Sequence, residues 1–259
     1  GDRAQVEYLQ SAVQSAHEVS LPVSALLKID QADLIIWIGD GFEARISKPM
    51  ALLPKAKLIT VMELEFLPVK PKAGAEDNIE TSEGDRHASN QEHDHGGHHD
   101  NLKFDPHIWL NPKNGNILAK AIQQHLGLPV SPIISSAFIS QLKAELEPFK
   151  QKNYLNHHDA FAHFATAFDL SGGLSIRDAS GASQGARSQY QLRKNAKAVD
   201  ASCIFIEPQY ADKDARIIAR ELELPVTIID PQGFDQPLGT DGYSGFMTGL
   251  VAQYKACFD

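Results

Sequence analysis

The chain has 259 residues, of which 42% are hydrophobic and 22% are charged, and its formal net charge is −9. This length suits one large domain or two lobes of ordinary size. The acidic balance argues against nucleic-acid binding, which requires clustered Lys and Arg. No apolar run approaches the ~20 residues that a membrane-spanning helix needs. The composition therefore predicts a globular protein that neither binds nucleic acid nor spans a membrane.

Short apolar runs, each followed by turn-forming residues, recur along the chain and are typical of β-strands. They occupy residues 34–38, 58–61, 203–206 and 226–229. Residues 212–222, between the last two runs, have apolar side chains at helical spacing. This strand–helix–strand alternation predicts an α/β fold with mainly parallel sheets flanked by helices. Consecutive apolar positions suit strands that are covered on both faces.

A helix is predicted between the two α/β regions, because Phe138, Leu142, Leu146 and Phe149 fall on one helical face. We expect it to join two lobes. The predicted boundaries are 1–131 for the N-terminal lobe, 132–152 for the connecting helix and 153–259 for the C-terminal lobe.

Residues 72–103 are polar and acidic, with almost no apolar side chain, and are predicted to form a mobile surface loop. The loop contains a histidine-rich tract made of His87, His93, His95, His98 and His99. Such a composition cannot build a core, but its imidazoles are ligands for borderline transition metals. We therefore expect an accessory segment that binds zinc weakly and either raises its local concentration or senses its abundance.

Three further histidines lie in widely separated segments: His17, His107 and His158. Each alone is more often a hydrogen-bonded structural residue, but together they could line a cleft between the lobes. Three imidazoles with a carboxylate or water suit tetrahedral Zn²⁺, although the ligand type alone does not exclude Cu²⁺ or Ni²⁺. We interpret His125 as structural, and His157 and His163 as groups that either support the ligands without binding the metal or lie at the surface.

Two acidic residues, Glu207 and Asp230, follow predicted strands directly. Sites in parallel α/β proteins form at the carboxyl ends of strands. Each residue also precedes a proline, so a capping or turn role is the alternative. Glu207, together with Asp159 next to His158, is a candidate to orient the ligand histidines.

The only two cysteines are Cys203 and Cys257, and no CxxC pair occurs. A zinc ribbon or thioredoxin-type redox motif is therefore excluded. The residues alone leave two interpretations open: unrelated buried thiols, or one disulfide across 54 positions. Such a bridge would stabilise the fold by roughly 4 kcal/mol in the chain-entropy model.

Several segments, in this order, make the chain similar to the zinc-binding subunits of bacterial ABC uptake transporters, the ZnuA-like receptors of cluster A-I. The matching segments are SAHEVSL at 15–21, ADLIIWIG at 32–39, DPHIWL at 105–110, HDAF at 158–161, CIFIEPQ at 203–209, IDP at 229–231 and QYKAC at 253–257. The resemblance covers nearly the whole chain. It implies two α/β lobes with the metal in the cleft between them.

The resemblance also implies residue roles, a function and a location. The family's histidine ligands correspond to His17, His107 and His158, and Asp230 matches an aspartate that ligates or lies beside the metal. Ala16 stands where some relatives have a glutamate, so the fourth ligand is left open. The family's cysteine placement implies the bridge between Cys203 and Cys257. The chain is expected to be a periplasmic, monomeric, non-enzymatic receptor that passes Zn²⁺ to a membrane permease.

Compared with the family, the chain Gly1–Asp259 is expected to lack the first strand and helix of the N-terminal lobe.

Two other interpretations of the function compete with the receptor role. A zinc-dependent hydrolase would use an open coordination position to activate water, with Glu207 or Asp230 as base. An adhesin that merely contains the fold is a further alternative.

Overall fold

The computed structural model describes residues 5–9, 15, 17, 21–69 and 105–259. The histidine-rich tract, with His87, His93, His95, His98 and His99, lies outside these described residues, and so does Ala16. Within the part that is described, the structure contains no helix with the length and apolar character that a membrane crossing requires.

The N-terminal part builds a small parallel sheet. Its elements are α1 (Val23–Gln31), β1 (Ile35–Trp37), α2 (Ser47–Ala51) and β2 (Leu58–Thr60). The two strands are parallel, with Ile36 opposite Ile59. Ile29, Ile35, Ile46 and Met50 form the core beneath this sheet. Both strands lie inside the predicted apolar runs and are slightly shorter, because the end residues of each run turn into loops.

The C-terminal part builds the larger sheet. Its strands are β3 (Leu155–His158), β4 (Leu174–Arg177), β5 (Ile204–Ile206) and β6 (Val226–Ile228), and its helices are α5 (Ala162–Phe168), α6 (Ala186–Ala198), α7 (Lys213–Leu222) and α8 (Gly242–Lys255). The strand order is β4-β3-β5-β6 and every pairing is parallel. The central strands β3 and β5 are buried along their whole length. This confirms the predicted α/β fold. Of the predicted strands, β5 is covered on both faces, whereas β1 and β6 expose Ile36 and Ile228.

Strand β4 is absent from the prediction. It lies at the edge of the sheet, and only Ile176 of its four residues is buried. An edge strand can expose polar side chains such as Ser175 and Arg177 without cost, so its sequence lacks the apolar run that identifies a central strand.

Two helices occupy the stretch between the sheets. Helix α3 (Pro112–His125) begins after Asn111, whose side chain accepts a hydrogen bond from the Lys113 N–H. Helix α4 (Ser136–Leu146) falls inside the predicted connecting helix and continues into a 3₁₀ turn, Glu147–Phe149. Leu142 and Leu146 pack into the core of the C-terminal part. The lobe boundaries at 131 and 152 stay a prediction.

The two cysteines form one disulfide bond, which confirms the bridge that the family resemblance implies. Cys203 and Cys257 have Cα atoms 6.0 Å apart, and both are buried. The bridge lies among aromatic side chains that include Tyr154, Phe205 and Tyr254. It therefore ties the end of the chain to the strand β5 region inside the core.

Candidate metal site

One group of His, Cys, Asp or Glu side chains within the described residues has the geometry to hold a metal ion: His17, His107 and His158. Their ligand atoms all lie within 4.8 Å of one another. His107 precedes the 3₁₀ turn Ile108–Leu110, and His158 is the last residue of β3. Both are buried, with 2% and 3% of their surface exposed. The structure thus brings together the three histidines that the sequence predicted as ligands.

Carboxylates fix the ring orientation of two of these histidines. The Nδ1 atom of His107 is 2.7 Å from Asp105 Oδ1, and the Nδ1 atom of His158 is 2.7 Å from Glu207 Oε1. A carboxylate only accepts hydrogen bonds, so each Nδ1 carries a proton, and Nε2 is the ring nitrogen left to bind a metal. The same carboxylates also accept from the backbone N–H groups of His107 and His158.

The two lone pairs converge on one point. His107 Nε2 and His158 Nε2 are 3.2 Å apart. When both rings carry their proton on Nδ1 alone, the two Nε2 lone pairs face each other, and a cation between them stabilises this arrangement. Two nitrogens bound to one tetrahedral zinc ion, at about 2.0–2.1 Å each, would lie about 3.3 Å apart. The observed separation therefore matches two ligands of a single ion.

His17 completes the group from the N-terminal part of the chain. Its Nε2 atom is buried and has no hydrogen-bond partner among the residues described. Its ring packs edge-on against Phe42, with 4.3 Å between the ring centroids. Burial, followed by the charges of His107 and His158, lowers the pKa of His17 to about 3. The imidazole is therefore neutral at physiological pH, which is the form that binds metal.

Aromatic rings surround the three imidazoles. Phe42 and Trp109 lie 5.7 Å and 5.4 Å from the His107 ring, and Tyr210 lies 5.0 Å from the His158 ring. Trp109 also donates its Nε1–H to the carbonyl oxygen of Pro231. These rings keep water away, and the resulting low dielectric strengthens the attraction between a cation and the nearby carboxylates.

Asp230 is not part of this group. Its carboxylate accepts hydrogen bonds from Gln209 Nε2 at 2.7 Å and from the backbone N–H groups of Gln232 and Phe234. Its predicted role as a metal ligand stays a prediction, and it would require some of these hydrogen bonds to be exchanged for the metal.

The two residues predicted to orient the ligands differ in their surroundings. Glu207 contacts His158 directly, as described above. Asp159 lies close enough to Tyr154 for its charge to act there: burial raises the pKa of Tyr154, and the charge of Asp159 raises it further. The orienting role of both residues stays a prediction, and the contact of Glu207 supports it.

Asp105 is a site residue whose role the sequence did not predict; it was noted only as part of the matching segment at 105–110. Burial alone would raise the pKa of Asp105, but the hydrogen bonds and charge of His107, together with the charge of His163, outweigh it, so the net pKa is lowered. The carboxylate is therefore charged. Its position two residues before His107 was the available signal, since an aspartate there can fold back onto the ring and the backbone N–H.

Removing the charge at Asp105 is expected to weaken zinc binding. We expect Asp105→Asn to raise the dissociation constant by about 10- to 100-fold, because a neutral partner makes the imidazole a weaker base and no longer fixes its proton. Competition with a chromophoric chelator measures this change. Asp30→Asn, at an exposed position on α1, is the matched control and should leave the constant unchanged. Equal affinities for Asp105→Asn and the control would contradict the role of Asp105.

Acid is expected to destabilise the metal-free protein below pH 6.5, the ordinary histidine value. Burial lowers the pKa of His17, His157 and His163 in the folded state. The unfolded chain therefore binds protons that the folded chain excludes, so the free energy of unfolding falls as the pH drops. Denaturant titrations at two pH values, such as 7.5 and 5, measure the loss. The variant His17→Asn should lose less unfolding free energy between the two pH values than the wild type does. Equal stability of the wild type at both pH values would contradict the prediction.

The fold and this cluster define a class: an α/β protein with parallel sheets and a largely buried cluster of three imidazoles that could hold a transition-metal ion. A sequence profile of the family described as zinc-uptake complex component A, periplasmic, matches residues 1–128 and 136–257. The chain belongs to this family.

Individual proteins agree with this assignment. The high-affinity zinc uptake system protein ZnuA of Yersinia pestis is 27% identical over 260 residues, which cover 94% of this chain and 81% of that protein. The laminin-binding protein Lmb of Streptococcus agalactiae, described as bifunctional with adhesin and metal transporting activity, superposes with a TM-score of 0.71 at 18% identity, over 100% of this chain and 92% of that one. The periplasmic zinc-binding protein TroA of Treponema pallidum superposes with a TM-score of 0.68 at 17% identity, over 94% and 87%.

Proposed function

We propose that this protein captures Zn²⁺ in the periplasm at His17, His107 and His158 and delivers it to the permease of an ABC transporter. The observation that carries this proposal is the pair of Nε2 atoms, 3.2 Å apart, on rings whose protons are held on Nδ1 by Asp105 and Glu207. The zinc-uptake family to which the chain belongs supports the same role.

The ligand chemistry favours zinc over manganese. Imidazole nitrogens suit Zn²⁺, whereas Mn²⁺ prefers oxygen ligands. Within the cluster every ligand atom is a histidine nitrogen. The ion is cargo in this proposal, so the site must bind it tightly and still release it.

Growth and uptake test the proposal. A bacterial strain that lacks its own zinc receptor should grow on limiting zinc, and accumulate radioactive zinc, when it produces this protein. The double variant His107→Asn, His158→Asn should lose both, and His125→Ala, at an exposed position, should lose neither. Full zinc uptake by the double variant would overturn the proposal.

A zinc hydrolase is the alternative that the sequence left open. Hydrolysis needs a free general base beside the metal. Both oxygens of Asp230 accept hydrogen bonds. Glu207 Oε2 is buried without a hydrogen-bond partner among the described residues, but Oε1 contacts Nδ1 of His158, on the side of the ring away from the Nε2 atom that would bind the metal. We therefore propose a binding role without catalysis. The zinc-loaded protein should hydrolyse an activated ester no faster than the His107→Asn, His158→Asn variant does; a rate that follows zinc occupancy of the site would favour the hydrolase.

A further inference from the structure

Two buried polar side chains beyond the site form a hydrogen-bonded path to it. Asn114 on α3 is 0% exposed and His163 on α5 is 4% exposed. Asn114 Nδ2 is 3.3 Å from His163 Nδ1, and His163 Nε2 is 3.1 Å from the carbonyl oxygen of Asp105. The carboxylate of Asp105 in turn holds His107.

The direction of every hydrogen bond in this path is determined by its ends. The carbonyl oxygen of Asp105 can only accept, so His163 carries its proton on Nε2 and donates it there. Its Nδ1 must then accept, and the donor is Asn114 Nδ2. The orientation of the Asn114 amide is set independently, because its Oδ1 accepts from the backbone N–H of Leu67 at 2.9 Å. Both arguments give the same tautomer for His163.

This path restrains the backbone of Asp105, the residue whose carboxylate holds the ring of His107. Asp105 has its carbonyl oxygen held by His163 and its carboxylate held by the ring and N–H of His107. A rotation of the Asp105 peptide would break the contact with His163 and would also displace the carboxylate from His107 Nδ1. His163 therefore acts on the ligand through Asp105, without touching it.

We propose that His163 and Asn114 are positioning residues that hold Asp105, and through it His107, in the geometry that binds the metal. This inference rests on the proposed function, because it assigns these residues a role in zinc affinity. Packing alone does not require them: a buried amide and imidazole are costly unless they are hydrogen-bonded, and apolar side chains could fill the same space.

The test compares two substitutions at one position. His163→Phe keeps an aromatic ring but removes both hydrogen bonds, and we expect it to raise the zinc dissociation constant about tenfold, the lower end of the range for groups that orient ligands. His163→Gln keeps a donor near the Nε2 position, and we expect its zinc dissociation constant to stay within about threefold of the wild-type value. His125→Phe, at an exposed position on α3, is the matched control and should behave as wild type.

The outcomes separate this inference from the proposed function. If wild type binds zinc tightly and His163→Phe binds equally well, or His163→Gln is as weak as His163→Phe, the positioning role is wrong while the receptor role stands. If wild type itself binds zinc only weakly, the proposed function fails first.

A second measurement needs no variant. Long-range ¹H–¹⁵N NMR spectra of the metal-free protein distinguish the two imidazole nitrogens. We expect the proton of His163 on Nε2 and that of His107 on Nδ1. A proton on Nδ1 of His163 would overturn the proposal, even if His163→Phe fails to fold.

Discussion

Replacing His158 by asparagine is expected to weaken zinc binding by about 100- to 1,000-fold. Zinc sites with four protein ligands bind with about 10–16 kcal/mol, which is about 2.5–4 kcal/mol for each ligand. Asparagine places a donor near the position of Nδ1, so Glu207, whose side chain is fully buried, keeps a hydrogen-bond partner. The loss then reports the missing Nε2 atom and not a destabilised carboxylate.

The same reasoning applies to His107→Asn, which keeps a donor for Asp105. Chelator competition gives the dissociation constants, and thermal unfolding of the metal-free variants shows whether the fold is intact. His125→Ala is the control for the loss of a surface histidine. If either asparagine variant binds zinc within about threefold of wild type, that histidine is not a ligand.

Removing the disulfide is expected to lower the free energy of unfolding by about 4 kcal/mol, the chain-entropy value for a loop of this length. The bridge joins residues 54 positions apart, Cys203 and Cys257. The double variant Cys203→Ala, Cys257→Ala avoids placing hydroxyl groups in an apolar core. Denaturant titration measures the loss, and reduction of the wild-type protein should cause a similar one.

Zinc affinity provides the internal control for this prediction. The bridge belongs to the same core cluster as Tyr154, Phe205 and Tyr254. Cys203 precedes β5, whereas His158 is the last residue of the parallel strand β3, so the bridge and His158 lie at opposite ends of the sheet. The folded double variant should therefore bind zinc with the wild-type constant. A loss of stability under about 1 kcal/mol would mean that the bridge contributes little beyond the core that surrounds it.

Apolar runs predicted four of the six described strands, β1, β2, β5 and β6. Central strand β3 lies outside the predicted runs, because it is buried but carries Asn156, His157 and His158. Edge strand β4 was missed, since one face and one edge of such a strand meet water. An apolar run therefore identifies a strand with apolar side chains, and it gives no signal where polar side chains occupy the strand.

The three histidines of the cluster and one carboxylate partner, Glu207, could be predicted from the sequence, but Asp105 and His163 could not. His107 and His158 border apolar segments, and this position indicates side chains at the end of a strand or the start of a turn, where sites form. The contact between His163 and Asp105 joins residues 58 positions apart, and no local pattern reports it. His157 and His163 were predicted either to support the ligands without binding the metal or to lie at the surface; both are buried, and His157 contacts Asp214. Such contacts depend on how α5 and α7 pack, which only the fold reveals.

The most direct test of the three-histidine site is a calorimetric zinc titration of the protein with residues 72–103 deleted, which removes the histidine-rich tract. We expect one tight zinc site, a much weaker response to Mn²⁺, and loss of the tight site in His107→Asn or His158→Asn. Weak binding at several sites, unchanged by those substitutions, would show that the three histidines are structural and that zinc is held elsewhere.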